Sequence, residues 1–348
     1  MYNYPGNIHI HSTYSDGSGT VAEIAQAAAD AGLSYIIICD HQTLAALQEE
    51  AMSRGVLVLA GMEINIEKNH YLGLNLQSPV DSNDNQPQGV IDQVNKQGGF
   101  GIIAHPFDRG SRYIEKGKAF PWRDWPVFGF TGMEIWNFSS HWRGLHPSLF
   151  RTLYWFFLNR KGAMKGPPRR LLKLWDCYNM NGHRIAGIGS SDAHAYRYKL
   201  PFFSIIIFSY RYTFTTINTY VVLQEKLSGR FQEAKNQVLN AIKDGRCYTA
   251  FESYGAARDF SFRALNGKNP VLMGETATLD DGLLLEIKAP SKRSQIRLIC
   301  NGELIAEDHC THLKFYPAKT GIYRTEVYYR PLLGKARPWI YSNPIYIS

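Results

Sequence analysis

An α/β fold with a strand-rich C-terminal portion is what this 348-residue chain predicts, and three observations carry the prediction. Apolar runs recur along the first two hundred residues, each ending in an imidazole or a carboxylate. Helix-forming segments separate several of them. Beyond about Ala256 short strands alternate with turns such as Asn266-Gly267, Asp280-Asp281-Gly282 and Asn301-Gly302, the spacing of a β-sandwich.

The first run, Asn7-Ile8-His9-Ile10-His11, alternates polar and apolar residues, which puts His9 and His11 on one face of a strand where they can share a divalent ion. Asp16 follows in the turn-rich stretch Tyr14–Gly19, which can fold a carboxylate back over the strand end. A single histidine is by default a hydrogen-bonded core or surface residue. The combined H-x-H-x4-D-G pattern reverses that default.

Thr20 to Ala31 reads as a helix, with Thr20 as N-cap, Glu23 three residues later and Gly32 as the stop. Leu33 to Cys39 is nearly continuous in apolar and β-branched residues, as expected of a parallel strand buried on both faces, and it ends in Asp40-His41. A right-handed crossover then brings Asp40-His41 beside His9 and His11. Asp40 is expected to orient a ligating imidazole rather than bind metal itself. Gly55–Glu63, Gly101–Pro106, Gly132–Asn137 and Arg184–His194 continue the series, delivering Glu63, His105, Asp192 and His194. Ligands at successive C-terminal strand ends describe the active face of an α/β barrel.

These motifs, namely H-x-H-x4-D-G at 9–17, Asp40-His41, Gly61-Met62-Glu63, Ala104-His105-Pro106 and Ser191-Asp192-Ala193-His194, resemble in order those of the PHP (polymerase and histidinol phosphatase) superfamily. The remainder resembles the CehA/McbA-type branch, on the Trp-Ile-x-Ser-Asn-Pro-Ile-Tyr pattern from Trp339 to Tyr346. The resemblance implies a distorted (β/α)7 barrel over residues 1–250 and a C-terminal β-sandwich-like domain over 256–348. It also implies two or three divalent ions. His9, His11, Glu63 and Asp192 would hold the first, Glu63 and His105 the second, and Asp16, His41 and His194 the third. A ninth ligand is expected after strand 131–136, where His141 is the candidate and Asn137 lies closer to the strand end. His70, in an H-x-L-G context, is expected near the metals as a structural imidazole.

Such a pair of ions can bridge a hydroxide and polarise an ester oxygen, so no protein nucleophile is required. Ser190 and Ser191 lack a G-x-S-x-G elbow, which disfavours a serine hydrolase. Imidazole and carboxylate ligands without thiolate suit Zn, Mn or Fe. Arg109, Arg143 and Arg197 follow ligand motifs closely and are candidates to bind an anionic substrate, weighed against ordinary surface roles. The expected catalytic set is Asp16, Glu63, His194, Arg109 and Arg197.

Five scattered cysteines without a C-x-x-C pair argue for reduced thiols, and no apolar run approaches bilayer length. A cytoplasmic location is expected, with export as the alternative if a leader has been removed. The net charge of +8 raises nucleic acid as a partner, yet the basic excess is local. It concentrates in an aromatic insertion at about 142–183, which interrupts the barrel pattern, and no nucleic-acid fold signature accompanies it. That insertion is read as barrel-packing helices, with a substrate lid, a membrane-surface contact and a homo-oligomer contact as alternatives. The reading is a metal-dependent phosphoesterase acting on a small anionic substrate. Carbamate, amide or ester hydrolysis is the enzymatic alternative, and a non-catalytic metal-binding regulatory module is the alternative of another class.

Overall fold

The computed structural model describes residues 1–111, 117–145, 149–199, 204–267 and 270–348. β1 (Tyr2–Ile10), α1 (Val21–Asp30) and β2 (Tyr35–His41) form a parallel strand-helix-strand unit. α1 begins in a complete Thr20/Glu23 capping box and buries Val21, Ile24, Ala25 and Ala28, the stripe its 3.6-residue period predicts. β3 (Ala51–Ser53) turns back onto β4 (Val56–Ile64), which is buried throughout and parallel to β2.

β5 (Tyr71–Leu74) runs antiparallel to β4, because the loop between them is too short for a helical crossover, and it also pairs antiparallel with β6 (Phe100–Ile103). α2 (Pro87–Lys96) links β5 to β6. β7 (Gly132–Asn137) and β8 (Ala186–Ser190) then resume parallel pairing. Between them lie α3 (Phe138–Arg143), α4 (Leu149–Phe157), α5 (Arg160–Ala163) and α6 (Arg169–Met180), so the expected insertion is helical. Its residues 146–148 lie outside the described residues.

β9 (Arg197–Lys199) and β10 (Ser204–Ile206) make a separate two-stranded ribbon. β10 is described from Ser204, since residues 200–203 lie outside the described set. After α7 (Tyr210–Thr213), β11 (Ile217–Leu223) returns antiparallel to β1, and α8 (Phe231–Lys243) leads to β12 (Cys247–Phe251) beside β11.

The sheet order is therefore β8-β7-β6-β5-β4-β2-β1-β11-β12, with mixed strand directions. An isolated bridge between Ile10 and Ala193 draws the chain after β8 back to β1. Thr219 on β11 donates through Oγ1 to the Gly189 carbonyl and accepts from the Gly189 amide.

The C-terminal strands are β13 (Ser261–Leu265), β14 (Pro270–Leu272), β15 (Thr276–Ala277), β16 (Leu284–Lys288) and β17 (Ser294–Cys300). β18 (Glu303–Asp308), β19 (His312–Phe315), β20 (Gly321–Tyr329), β21 (Arg337–Ser342) and β22 (Ile345–Ile347) complete them. β14, β13, β16 and β19 form a four-stranded sheet. Its Phe262, Leu285 and Ile287 share a core with Ile296, Leu298, Val327 and Trp339 of the other layer, a sandwich-like packing.

That other layer is not detached. β21 pairs with β12, so one sheet runs from the N-terminal strands into the C-terminal ones, and the division expected between 250 and 256 cuts a continuous ladder. Buried Arg324 on β20 grips both carboxylate oxygens of Asp176 on α6 at 2.7 and 2.8 Å, tying the helical insertion to the same layer. Among the described residues no helix is long and apolar enough to cross a membrane.

Candidate metal centre

The site grows out of irregular backbone. β1 carries a register shift at His9, whose φ is 67°, and the strand ends at Ile10. Simple alternation therefore does not place the two imidazoles; a bulge turns His9 inward and His11 lies past the strand end. His105 (φ 26°), Asp192 (φ 51°) and Ala195 (φ 51°) are also left-handed non-glycine residues. Such conformations cost about 1–3 kcal/mol each and cluster where geometry is functionally constrained.

Glu63 at the end of β4 is the hub. Its Oε2 lies 3.0 Å from His9 Nε2, 3.2 Å from His11 Nε2 and 3.3 Å from His41 Nδ1. Its Oε1 lies 2.7 Å from His70 Nδ1 and 3.2 Å from His105 Nε2. Asp192 Oδ1 approaches His9, His11 and His194 at 3.5–3.6 Å. Asp16 faces His194 Nε2 at 3.3 Å, His11 Nδ1 at 3.5 Å and His41 Nε2 at 3.8 Å.

Three sets of side chains bring their ligand atoms within 4.8 Å of one another: His11, Asp16, His41 and His194; His9, Glu63 and His105; and His9, His11 and Asp192. Eight residues spread from 9 to 194 thus converge.

The buried nitrogens show what the cluster accommodates. His9 Nε2, both ring nitrogens of His11 and His105 Nδ1 are sealed from solvent without a hydrogen-bond partner, although carboxylate oxygens stand close by. Buried polar atoms are normally satisfied. A cation among the rings and carboxylates supplies what geometry denies them, and the all-nitrogen and oxygen donor set fits a divalent metal.

The electrostatics agree. Burial pushes the His9 and His11 rings towards neutrality, yet Glu63 and Asp192, with Glu134 beside His9, outweigh it and hold His9 well above its ordinary range and His11 up at about 9. The same contest of burial against Glu63, Asp192 and Glu134 raises His105 to about 9. Burial would raise Glu63 and Asp192, but the surrounding imidazoles hold both carboxylates well below their usual range. Dense negative charge pointed at ring nitrogens suits a cation site.

Supporting groups fix the rings. His9 Nδ1 donates to Glu134 Oε1 at 2.8 Å, which leaves Nε2 aimed at the cluster. Glu134 Oε2 accepts from the His105 amide at 2.7 Å and from Asn137 Nδ2 at 2.8 Å. His194 Nδ1 donates to the Asp192 carbonyl at 3.0 Å, turning Nε2 towards Asp16, and Tyr196 stacks on the same ring. Glu134 was not singled out by sequence reasoning; it sits in mid-strand, and its only signal was membership of the run Gly132–Asn137.

Several expectations require correction. Asp40 does not meet an imidazole; its carboxylate accepts from the Ser12 amide (2.7 Å) and hydroxyl (2.6 Å) and from Ser15 Oγ (2.5 Å), so it shapes the loop carrying Asp16. His141 is outside all three ligand groups. It lies on α3, its Nε2 accepts from the Lys165 amide at 3.3 Å, and burial with Lys165 and Arg109 nearby depresses it to about 4. Asn137 caps α3 through the Ser140 amide and braces Glu134.

The ligands open into a cavity of about 400 Å³ lined also by Gln42, Asn65, Ile66, Lys118, Phe120, Arg143 and Tyr196. Of the three arginines only Arg143 reaches it. Arg109 lines a neighbouring cavity with His141 and Lys165, and Arg197 is exposed on β9 within the field of Glu23. A residue's closeness in sequence to a ligand does not set its direction. Lys118, on the loop after His105, was missed for the same reason.

A mixed α/β sheet with imidazoles and carboxylates gathered at its strand ends defines a metal-dependent class of protein, and comparison with known proteins agrees. Residues 7–117 match the PHP domain. Over 80 residues, covering 20% of this chain, it is 34% identical to the phosphoribosyl 1,2-cyclic phosphate 1,2-diphosphodiesterase of Eggerthella lenta, of which the match spans 30%. A two-domain protein of Bacteroides vulgatus containing a predicted PHP-like metal-dependent phosphoesterase matches at 15% identity and a TM-score of 0.46 over 98% of this chain and 95% of that one. An amidohydrolase of Chromobacterium violaceum, solved with bound sulfate and no metal, matches at 16% identity and a TM-score of 0.32, covering 54% of this chain and 87% of that one. The chain thus carries a PHP domain in its first third.

Proposed function

We propose that this chain is a metal-dependent phosphoesterase acting on a small phosphorylated molecule. The observation that carries the reading is the convergence of His9, His11, Asp16, His41, Glu63, His105, Asp192 and His194 on a cavity that also holds Lys118 and Arg143. Two or three Zn, Mn or Fe ions are assigned as the resemblance implies: His9, His11, Glu63 and Asp192 to one, Glu63 and His105 to a second, Asp16, His41 and His194 to a third. Bound there, divalent ions supply Lewis acidity and an acidified water, chemistry that lowers the pKa of water from near 16 to about 7.

The chain's own residues do the rest. Arg143 and Lys118 offer cationic donors to phosphate oxygens left uncovered at the metals. Asp16, half exposed at the mouth, and His194 beside it face the open side of the cluster, where they would complete the third ion's ligand set. Ile66, Phe120 and Tyr196 wall the cavity and limit water around the reacting ester. The phosphodiesterase name of the Eggerthella relative supports the phosphoester class, and the Ile10–Ala193 bridge supports reading the sheet as a distorted barrel. Five unpaired cysteines support a cytoplasmic location.

An apolar mouth, of the kind Trp122, Trp136 and Trp142 could build, would favour the carbamate or ester alternative. All three are buried in the core and none lines the cavity, so the cationic mouth favours phosphate. The test is a metal-reconstituted assay against phosphomonoesters, phosphodiesters and aryl carbamates, with Glu63→Gln alongside. Phosphoester hydrolysis that collapses together with metal content in the variant is expected. Faster turnover of carbamates than of any phosphoester overturns the substrate class, and full metal with full rate in Glu63→Gln overturns Glu63 as the shared ligand.

A further inference from the structure

α4 breaks the rule that a surface helix turns its apolar stripe inward. Trp155 and Phe156 already pack against the core. Yet Phe150, Leu153, Tyr154, Phe157 and Leu158, spaced i, i+3, i+4, i+7 and i+8, form a second stripe that faces solvent. Phe150 is 86% exposed, Phe157 69% and Leu158 79%. Single exposed apolar residues are ordinary, but five on one helical face make a patch of the kind that marks an interaction surface. Phe208, just past β10, rests on Phe156 at 5.4 Å on the core side of α4, and the adjoining β9–β10 ribbon exposes Tyr198, Ile205 and Ile206.

Charge indicates the occupant. Arg151 on the helix and Lys161, Lys165, Arg169, Arg170 and Lys173 beyond it are all exposed. From 142 to 184 the sole acid is Asp176, which is buried and neutralised by Arg324. The one acid that shares the cavity beside α4 and α5 is half-buried Glu252, which accepts a hydrogen bond from Tyr220. A protein partner of matching chemistry would need an apolar groove lined by acids. An anionic bilayer offers both features at once, with acyl chains for the aromatic stripe and headgroup phosphates for the flanking cations. Aromatic rings flanked by Arg and Lys are also the composition that settles at headgroup depth.

We propose that α4 and the adjoining β9–β10 ribbon are a peripheral docking surface for anionic lipid bilayers, with Phe150, Phe157 and Leu158 inserted at the interface. Short length and reversible charge attraction make this a surface contact, not a span. The inference is independent of the metal chemistry, since it uses none of the ligands.

The test is sedimentation of the full chain with vesicles of phosphatidylcholine alone and of phosphatidylcholine mixed with phosphatidylglycerol. Binding to the anionic vesicles, weak binding to the neutral ones and loss of binding in high salt are expected. Phe157→Ser/Leu158→Ser should weaken the partition about a hundredfold, roughly tenfold per exposed side chain, with an unchanged thermal midpoint because neither residue packs in the core. Lys161→Glu/Lys165→Glu should weaken anionic binding and leave the neutral baseline alone. Equal binding of both vesicle types, or undiminished binding by the serine variant, overturns the proposal. So does a chain that ignores vesicles but self-associates through this stripe, shown by a dimer that the serine variant dissolves.

Discussion

Glu134→Gln is the sharpest test of how the metal centre is organised, because it changes one buried atom and replaces no ligand. The carboxylate accepts three hydrogen bonds, from His9 Nδ1 at 2.8 Å, the His105 amide at 2.7 Å and Asn137 Nδ2 at 2.8 Å. Glutamine keeps one acceptor oxygen and substitutes a donor for the other, so at least one of these three donors meets an N–H. Leaving a buried donor unpaired costs about 1–3 kcal/mol, and outer partners of metal-binding histidines are worth roughly ten- to a hundredfold in affinity. The two figures agree, since tenfold corresponds to about 1.4 kcal/mol. The loss should fall on the metal, because His9 freed from Glu134 can rotate or protonate on Nε2. A competition titration of metal against a chromophoric chelator measures it, with the melting midpoint of the metal-free variant as the folding control. Affinity within twofold of the parent, in a variant that still folds, would refute the argument that Glu134 sets the His9 tautomer.

Other perturbations probe separate parts. Arg143→Ala should raise KM for phosphoesters several-fold with metal content unchanged, whereas Arg109→Ala and Arg197→Ala should leave KM alone; steady-state kinetics separates them. Asp176→Ala strands Arg324 in the core between β20 and α6 and should cost about 3–5 kcal/mol in denaturant unfolding, the penalty of breaking a buried ion pair. Glu252 is held up at about 7, chiefly by burial, against an ordinary 4.5. An acid raised on folding leaves stability intact below 4.5 and erodes it as pH climbs through 7, so Glu252→Gln should raise the melting midpoint at pH 8 and not at pH 4. Partial exposure reduces the expected gain to about 1 kcal/mol.

What the sequence revealed, and what it hid, follows from the range of the interactions. The capping box at Thr20 and Glu23, the buried run of β2 and the ligands at the ends of β1, β2, β4 and β8 depend on local pattern, so they were legible. Asp40 was misread because Asp40-His41 looks like an orienting pair, whereas its partners Ser12 and Ser15 arrive from the loop after β1. The antiparallel β5 and the β12–β21 pairing were hidden by the same logic, since a strand's apolar content reports burial and not its neighbour's direction. Arg109 and Arg143 could not be told apart, because each follows its motif closely and only loop geometry sends one into the cavity.

The strained backbone around the ligands has a counterpart in the hydrogen bonds that restrain it. The His11 amide donates to the Ala193 carbonyl at 2.9 Å, the Ala193 amide to the His9 carbonyl at 3.2 Å, and the Ser18 amide to the His194 carbonyl at 2.9 Å. The buried Tyr210 hydroxyl donates to the His11 carbonyl at 2.7 Å and accepts from the Ser18 and Gly19 amides at 3.1 and 3.2 Å. These contacts stitch the loop after β1 to the loop after β8 without using any ligand side chain. The left-handed conformations of His9, Asp192 and Ala195 therefore persist by backbone pairing, which positions the loops that carry the imidazoles and carboxylates. Preorganisation of this kind suits a hydrolytic centre, since little reorganisation remains to oppose metal binding or the charge that develops on phosphate oxygens.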